Sequence, residues 1–135
     1  MVTKTIPNEP YQELNGVYEN YYSNGQLKSK ATYKNDVLNG VWETYYKNGQ
    51  LESKRTYKNN ELNGVSEDYD KNGQLVSKAT YKNGKLNGVY EEYDDGQLVS
   101  KMTYKNNELN GVYEEYYDGQ LVSKRTYKNG EFIDD

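Results

Sequence analysis

The chain has 135 residues, a net charge of −4, and neither cysteine nor histidine. That composition excludes disulfide scaffolds, thiolate metal sites, thiol nucleophiles and every His-based catalytic arrangement. The length fits one ordinary domain, no apolar run approaches the roughly 20 residues of a membrane helix, and the acidic balance disfavours non-specific nucleic-acid binding.

Residues 1–13 read as a lead-in and N-terminal cap. Met1–Pro10 has one lysine and no apolar h-region, so no signal peptide is expected and the cytoplasm is the default location. A secreted or surface location is the alternative where a leader has been removed. Ile6, Pro7 and Pro10 are expected to blunt the first sheet edge, because proline cannot donate to an added strand.

From Leu14 onward the chain repeats itself. Leu14, Leu38, Leu62 and Leu86 are 24 residues apart, and Leu109 and Phe132 follow at intervals of 23. Each begins a unit of the form L-N-G-V-x-E-x-Y-x-x-N-G-Q-L-x-S-K-x-T-Y-K-N-x-x, giving units 14–37, 38–61, 62–85, 86–108 and 109–131. An apolar fraction of 33% alone suggests disorder, but seventeen regularly spaced tyrosines argue for a fold.

Within a unit, Gly40–Tyr46 is rich in valine and aromatics, as strands are, and Asn48-Gly49 is a turn signal. Gln50–Lys58 reads as the returning strand, and Asn59 to Gly64 as the connection to the next unit. Recurrent glycine and the lack of a 3.6-residue apolar period argue against helix. The expected fold is all-β: five tandem hairpins, about ten strands, in an elongated antiparallel meander sheet or open groove. Residues 132–135 form a C-terminal cap, with Phe132 and Ile133 sealing the last edge.

Two units are one residue shorter at the turn. A loop of three residues (Lys47–Gly49) shrinking to two (Asp95-Gly96) keeps Tyr45 opposite Leu51 and Tyr93 opposite Leu98. Extended along both strands, that register puts Val41, Glu43, Tyr45, Leu51, Ser53, Arg55 and Tyr57 on one face. Trp42, Thr44, Tyr46, Glu52, Lys54, Thr56 and Lys58 fall on the other. The first set mostly recurs in every unit and is the expected core; the second varies on its first strand and is expected to be exposed.

The recurring L-N-G-V-x-E-x-Y-x-x-N-G-Q-L…T-Y-K-N resembles the MORN repeat superfamily, specifically the bacterial MORN-variant repeats, over about 118 of the 135 residues. The resemblance implies a single-sheet or V-shaped stack of hairpins acting as an interaction module. Some bacterial proteins of this type carry the label antitoxin. The better-known pattern Y-x-G-x-x-x-x-G-x-x-x-G-x-G does not fit the wider Tyr and Gly spacing here, so phosphoinositide binding is not carried over.

Five glutamates recur: Glu19, Glu43, Glu67, Glu91 and Glu114. Each is expected to face a serine (Ser29, Ser53, Ser77, Ser100, Ser123) and to share a hydrogen bond with it. The serines have no base beside them, since the lysines that follow them point to the opposite face, and no catalytic, cofactor or metal residue is expected. The Asn-Gly pairs at 15–16, 39–40, 63–64, 87–88 and 110–111 read as turns rather than phosphate nests.

The variable face carries the candidate site. Tyr18, Tyr22, Trp42, Tyr46, Tyr90, Tyr113 and Tyr117 supply aromatic anchors of the type enriched in binding hot spots. Asp68, Asp70, Glu92 and Asp94 form an acidic rim, and Ser66 and Asp70 interrupt the aromatic row in the third unit. The expected function is a non-enzymatic protein-binding module, monomeric or weakly oligomeric, of the antitoxin or inhibitor kind that occludes a partner with a basic surface. The alternatives are a surface protein binding a glycan or membrane, and a single-stranded nucleic-acid binder; the acidic row weighs against the latter.

Overall fold

The computed structural model describes residues 3–4 and 12–133, and these form one sheet of thirteen strands. The strands are β1 (Thr3–Lys4), β2 (Gly16–Tyr21), β3 (Leu27–Lys34), β4 (Val37–Tyr45), β5 (Leu51–Lys58), β6 (Glu61–Leu62), β7 (Gly64–Tyr69), β8 (Leu75–Lys82), β9 (Lys85–Asp94), β10 (Gln97–Lys105), β11 (Glu108–Tyr117), β12 (Gln120–Lys128) and β13 (Glu131–Ile133). They lie side by side in chain order, with β6 and β7 as two pieces of one strand against β5. Every pairing is antiparallel except that of β1, which runs parallel to β2 with Thr3 beside Val17. The open sheet of tandem hairpins is the fold that the repeat implies.

Two kinds of turn join the strands. In units one to three, the amide of Tyr22, Tyr46 or Asp70 bonds the carbonyl of Gln26, Gln50 or Gln74 across a three-residue loop. The shortened units use two residues, Asp95-Gly96 and Asp118-Gly119, both with positive φ. The connection between units is tighter than the stretch Asn59 to Gly64 suggests. Asn59 (φ 50°) and Asn60 (φ 68°) alone make the turn, and pairing resumes at Glu61 opposite Lys58. Two successive positive φ values match the right-handed twist of the strands, and asparagine tolerates them.

The L-N-G segment is therefore not a turn. Asn39 and Gly40 lie within β4, in a bulge where Asn39, Gly40 and Val41 span the gap opposite Thr32 alone. Gly40 has φ +128°, and a Cβ there would sit 3.1 Å from the Thr32 Cβ, so both backbone and space demand glycine. The asparagine side chains reach forward: Oδ1 of Asn15, Asn39, Asn63, Asn87 and Asn110 accepts the amide of Asn35, Asn59, Asn83, Asn106 and Asn129. Each unit thus pins the turn that leads into the next.

A second bulge changes the faces. Tyr45 does pair with Leu51 and Tyr93 with Leu98, but Thr44 pairs with Ser53, leaving Glu52 as an extra residue. The same slip leaves Lys28, Val76, Val99 and Val122 unopposed. One extra residue inverts the alternation downstream. Arg55 and Tyr57 consequently join Trp42 and Thr44, while Lys54 and Thr56 join Val41 and Glu43. The expected pairing of glutamate with serine is overturned: Glu19, Lys30, Glu43, Lys54, Glu67, Lys78, Glu91, Lys101, Glu114 and Lys124 succeed one another in register across the sheet.

The expected core face is overturned with it. Tyr18, Ala31, Ser66, Ala79, Ser100 and Met102, the best-buried residues apart from Val17, all lie on the tryptophan face. On the glutamate face Val65 and Val89 are 39% and 36% exposed. Packing follows the returning tyrosines, which cross to the tryptophan face and meet first-strand aromatics. The ring centroids of Tyr18–Tyr33, Trp42–Tyr57, Tyr90–Tyr104 and Tyr113–Tyr127 lie 5.7 to 6.2 Å apart. Among the described residues no large side chain is fully buried, as befits a sheet with no second layer.

The C-terminal seal is partial. Phe132 packs edge-on against Tyr127 at 5.8 Å yet remains 54% exposed, and β13 covers only Thr126–Lys128 of β12. Ile6, Pro7 and Pro10 lie outside the described residues.

Candidate functional site

The interruption of the aromatic row at unit three opens a cleft. Ser66 replaces the aromatic found at positions 18, 42, 90 and 113, and its neighbour across the strand pair is the small Ala79. Both are buried, and the Ser66 hydroxyl has no hydrogen-bond partner. Beside this dip, Trp42, Thr44, Tyr46, Glu52, Ser53, Arg55, Asp68, Tyr69, Asp70 and Val76 line a cleft of about 590 Å³.

Each wall is positioned by the fold. Tyr46 stands just before the three-residue loop, and its hydroxyl donates to the Tyr69 carbonyl of the next hairpin at 2.7 Å, which fixes the ring. Arg55 donates to Asp68 Oδ1 at 3.0 Å, and the Ser77 hydroxyl donates to Asp68 Oδ2 at 3.1 Å. Thr44 and Ser53 share a hydrogen bond between their hydroxyls. Asp70 accepts the amides of Asn72 and Gln74 through Oδ1, so it caps its own turn while standing at the cleft mouth. Glu52 enters because it is the bulge residue. Burial first, and then the carboxylates of Glu52, Asp70 and Asp68, push the Tyr46 hydroxyl above its ordinary range. Three carboxylates against one guanidinium leave the cleft negative, with aromatic walls.

The sequence-expected residues divide into four groups. Trp42, Tyr46, Asp68 and Asp70 are brought together in the cleft. Tyr18 is 6% exposed and belongs to the packed ridge, and Tyr90 and Tyr113 are half-buried against their tyrosine neighbours. Tyr22 repeats the Tyr46 geometry in unit one, donating to the Tyr45 carbonyl at 2.6 Å. Glu92 and Asp94 are exposed beyond the cleft, and Tyr117, with no following hairpin to bond, is 73% exposed. Arg55 escaped the sequence reading because the straight register placed it on the other face. A signal was present: its position holds Ala31, Arg55, Ala79, Met102 and Arg125, the variation expected of a specialised face.

The family described as MORN repeat variant matches residues 14–35, 38–59, 62–83, 86–106 and 109–129. The chain belongs to the MORN repeat variant family. No curated protein matches it significantly. As a MORN-repeat array it is a binding module in the general sense, with proteins or membranes as the partner class. Among the described residues no helix is long and apolar enough to cross a membrane. The motif positions are now accounted for by the fold: leucine beside the returning tyrosine, asparagine on the next turn, and glycine in the bulge. None of them lines the cleft. The cleft is built from positions at which the five MORN repeats differ, plus the serine and tyrosine that frame them.

The glutamate face of the MORN repeats is regular. Tyr21, Tyr45, Tyr69, Tyr93 and Tyr116 stand beside the glutamates two positions earlier, and all five hydroxyls are pushed upward. In Tyr45, Tyr69 and Tyr93 burial leads and the adjacent carboxylate follows, while in Tyr21 the hydrogen bond to Glu19 leads. Among the described residues, Arg55–Asp68 is the one ion pair closed to 4.0 Å. The alternating Glu and Lys row therefore acts through proximity rather than through formed bridges.

Proposed function

We propose that this MORN-repeat chain is a non-enzymatic protein-binding module that holds a partner with a basic surface against its tryptophan face. The observation that carries the reading is the cleft at the junction of units two and three. Its walls are aromatic, its balance is acidic, and the repeats there abandon their common pattern. A desolvated Trp or Tyr anchor contributes about 2 kcal/mol or more at an interface. Surrounding carboxylates speed encounter with a basic partner and lose that effect at high salt. A neutraliser of the antitoxin or inhibitor kind, occluding a basic toxin or nuclease, is the finer form of this proposal.

The test is capture from lysate of the source cells on immobilised wild-type and Trp42→Ala chains, followed by calorimetry on the captured protein. Loss of about 30-fold in affinity on Trp42→Ala, with the variant still folded, is the expected result. Equal binding by both chains moves the interface elsewhere.

A second reading has its own observation. On the glutamate face, tyrosine–leucine pairs (Tyr21–Leu27, Tyr45–Leu51, Tyr69–Leu75) recur every second strand, about 9.6 Å apart at the usual strand spacing. Regular aromatic platforms suit a polymer such as a glycan chain. A glycan array with a Tyr69→Ala comparison separates the two.

A further inference from the structure

The first two repeats carry the same ring in the same seat with opposite charges around it. Tyr22 and Tyr46 are equivalent positions, and each hydroxyl donates to the carbonyl of the equivalent tyrosine of the following hairpin. Over the Tyr22 ring stand two ammonium groups of the chain itself, Lys28 Nζ at 5.8 Å and Lys47 Nζ at 5.9 Å. Lys28 is the bulge residue of unit one. The bulge residue of unit two is Glu52, which lines the cleft beside Tyr46. Among the described residues no cation stands over the Tyr46 ring. Lys71, the counterpart of Lys47, is not stacked on it, although its turn is docked in the same way, by Asn48 to the Lys71 carbonyl as by Asn24 to that of Lys47.

Unit one therefore shows what this geometry accepts: an ammonium group over a tyrosine held rigid by its own hydroxyl bond. At unit two the internal ammonium is replaced by a carboxylate, and Asp70 stands where unit two's own tyrosine would recur. Asp68 is already engaged by Arg55 and Ser77, which leaves Glu52 and the second oxygen of Asp70 without a partner among the described residues. A cation over an aromatic face is attracted by the ring quadrupole, and more strongly where the site is partly desolvated. Two carboxylates lining the same cleft can add charge-assisted hydrogen bonds to the same group.

We propose that the Tyr46 seat, bounded by Trp42, Glu52 and Asp70, takes a lysine side chain of the partner protein. The seat rests on the reading of the tryptophan face as the binding face and gives that reading its recognition chemistry. The partner's ammonium occupies the position that Lys28 fills internally in unit one, with its aliphatic stem along Trp42.

The test uses the full chain and two probes, tetralysine and the same peptide acetylated at every Nε. Trp42 is the single tryptophan, so its fluorescence and its indole N–H resonance report this cleft alone. Tetralysine should give a saturable, salt-sensitive response, and the acetylated peptide none. Glu52→Lys, which restores the internal cation of unit one, should weaken tetralysine binding about tenfold or more. Glu108→Lys, the same charge change on distant β11, should leave binding within about twofold of wild type, with circular dichroism confirming the fold of both. Tyr46→Leu should weaken binding as Glu52→Lys does. Equal responses to the two peptides, or equal losses from Glu52→Lys and Glu108→Lys, overturn the proposal. A response to spermine that exceeds that to tetralysine overturns it in favour of a small polyamine. Silent peptides combined with a Trp42→Ala chain that still loses its captured partner would remove the seat and leave the binding face standing.

Discussion

Gly88→Ala, set beside Gly25→Ala, measures what the L-N-G bulge is worth. Gly88 has φ +131°, and a Cβ there would meet the Thr80 Cβ at 3.1 Å and its Cγ2 at 3.4 Å. Thr80 is β-branched and lies in the middle of β8, so its rotamer and backbone have little freedom to yield. Residues forced into sparsely populated backbone regions cost about 1–3 kcal/mol, and overpacking adds about 1–3 kcal/mol. Against this, alanine lowers unfolded-chain entropy and returns about 0.4–1 kcal/mol. The net expectation is a loss of about 3 kcal/mol. Gly25 also has positive φ, +88°, but nothing lies within 4 Å of its added Cβ. There only the backbone term and the entropy offset remain, and a loss of about 1 kcal/mol should follow. Urea denaturation followed by tyrosine fluorescence and circular dichroism gives both values, with the denaturant slope checking that one cooperative unit is being compared. Equal losses for the two variants would refute the close approach of Gly88 to Thr80 and the bulge geometry built on it.

Leu75→Ala, which removes a half-buried side chain opposite Tyr69, should cost about 2 kcal/mol, whereas Val76→Ala at the 41% exposed bulge residue should cost well under 1 kcal/mol; the same denaturation assay reads both. Burial, then Glu43, Glu67 and Glu91, hold the hydroxyls of Tyr45, Tyr69 and Tyr93 protonated in the folded chain beyond their ordinary value of 10.0. The unfolded chain therefore releases these protons first, so stability should fall as pH rises above about 10 and be unaffected below it; absorbance titration at alkaline pH checks this, and Glu67→Gln should reduce but not abolish the delay in Tyr69. Deleting residues 132–135 removes Phe132 and Ile133 of β13 and bares Thr126 and Tyr127 of β12, which should promote end-to-end association detectable by light scattering, while an unchanged monomer would show that β13 protects nothing.

Much of this protein is determined by the sequence alone. A 24-residue period, Asn-Gly and Asp-Gly turns and alternating aromatics can be satisfied only by consecutive hairpins, and the one-residue deletions place Tyr45 against Leu51 and Tyr93 against Leu98. Local turn chemistry is written in local residues, so it is legible. Trp42, Tyr46, Asp68 and Asp70, which the fold brings into one cleft, stand out in the sequence for a related reason, since they break a pattern that the rest of the chain repeats.

What only the tertiary structure decides is which face each returning residue joins. The extra residue at Lys28, Glu52, Val76, Val99 and Val122 has no fixed side-chain identity, because a bulge answers to strand twist and to packing across the sheet. Without that extra residue Arg55 and the returning tyrosines would lie on the glutamate face. The same is true of L-N-G, which has turn composition but is held in a strand by Asn39, whose side chain bonds an amide twenty residues away. The bonds of Tyr22 to the Tyr45 carbonyl and of Tyr46 to the Tyr69 carbonyl, and the seat the latter builds, exist only when neighbouring hairpins are already stacked. A single unit contains only one partner of such a bond.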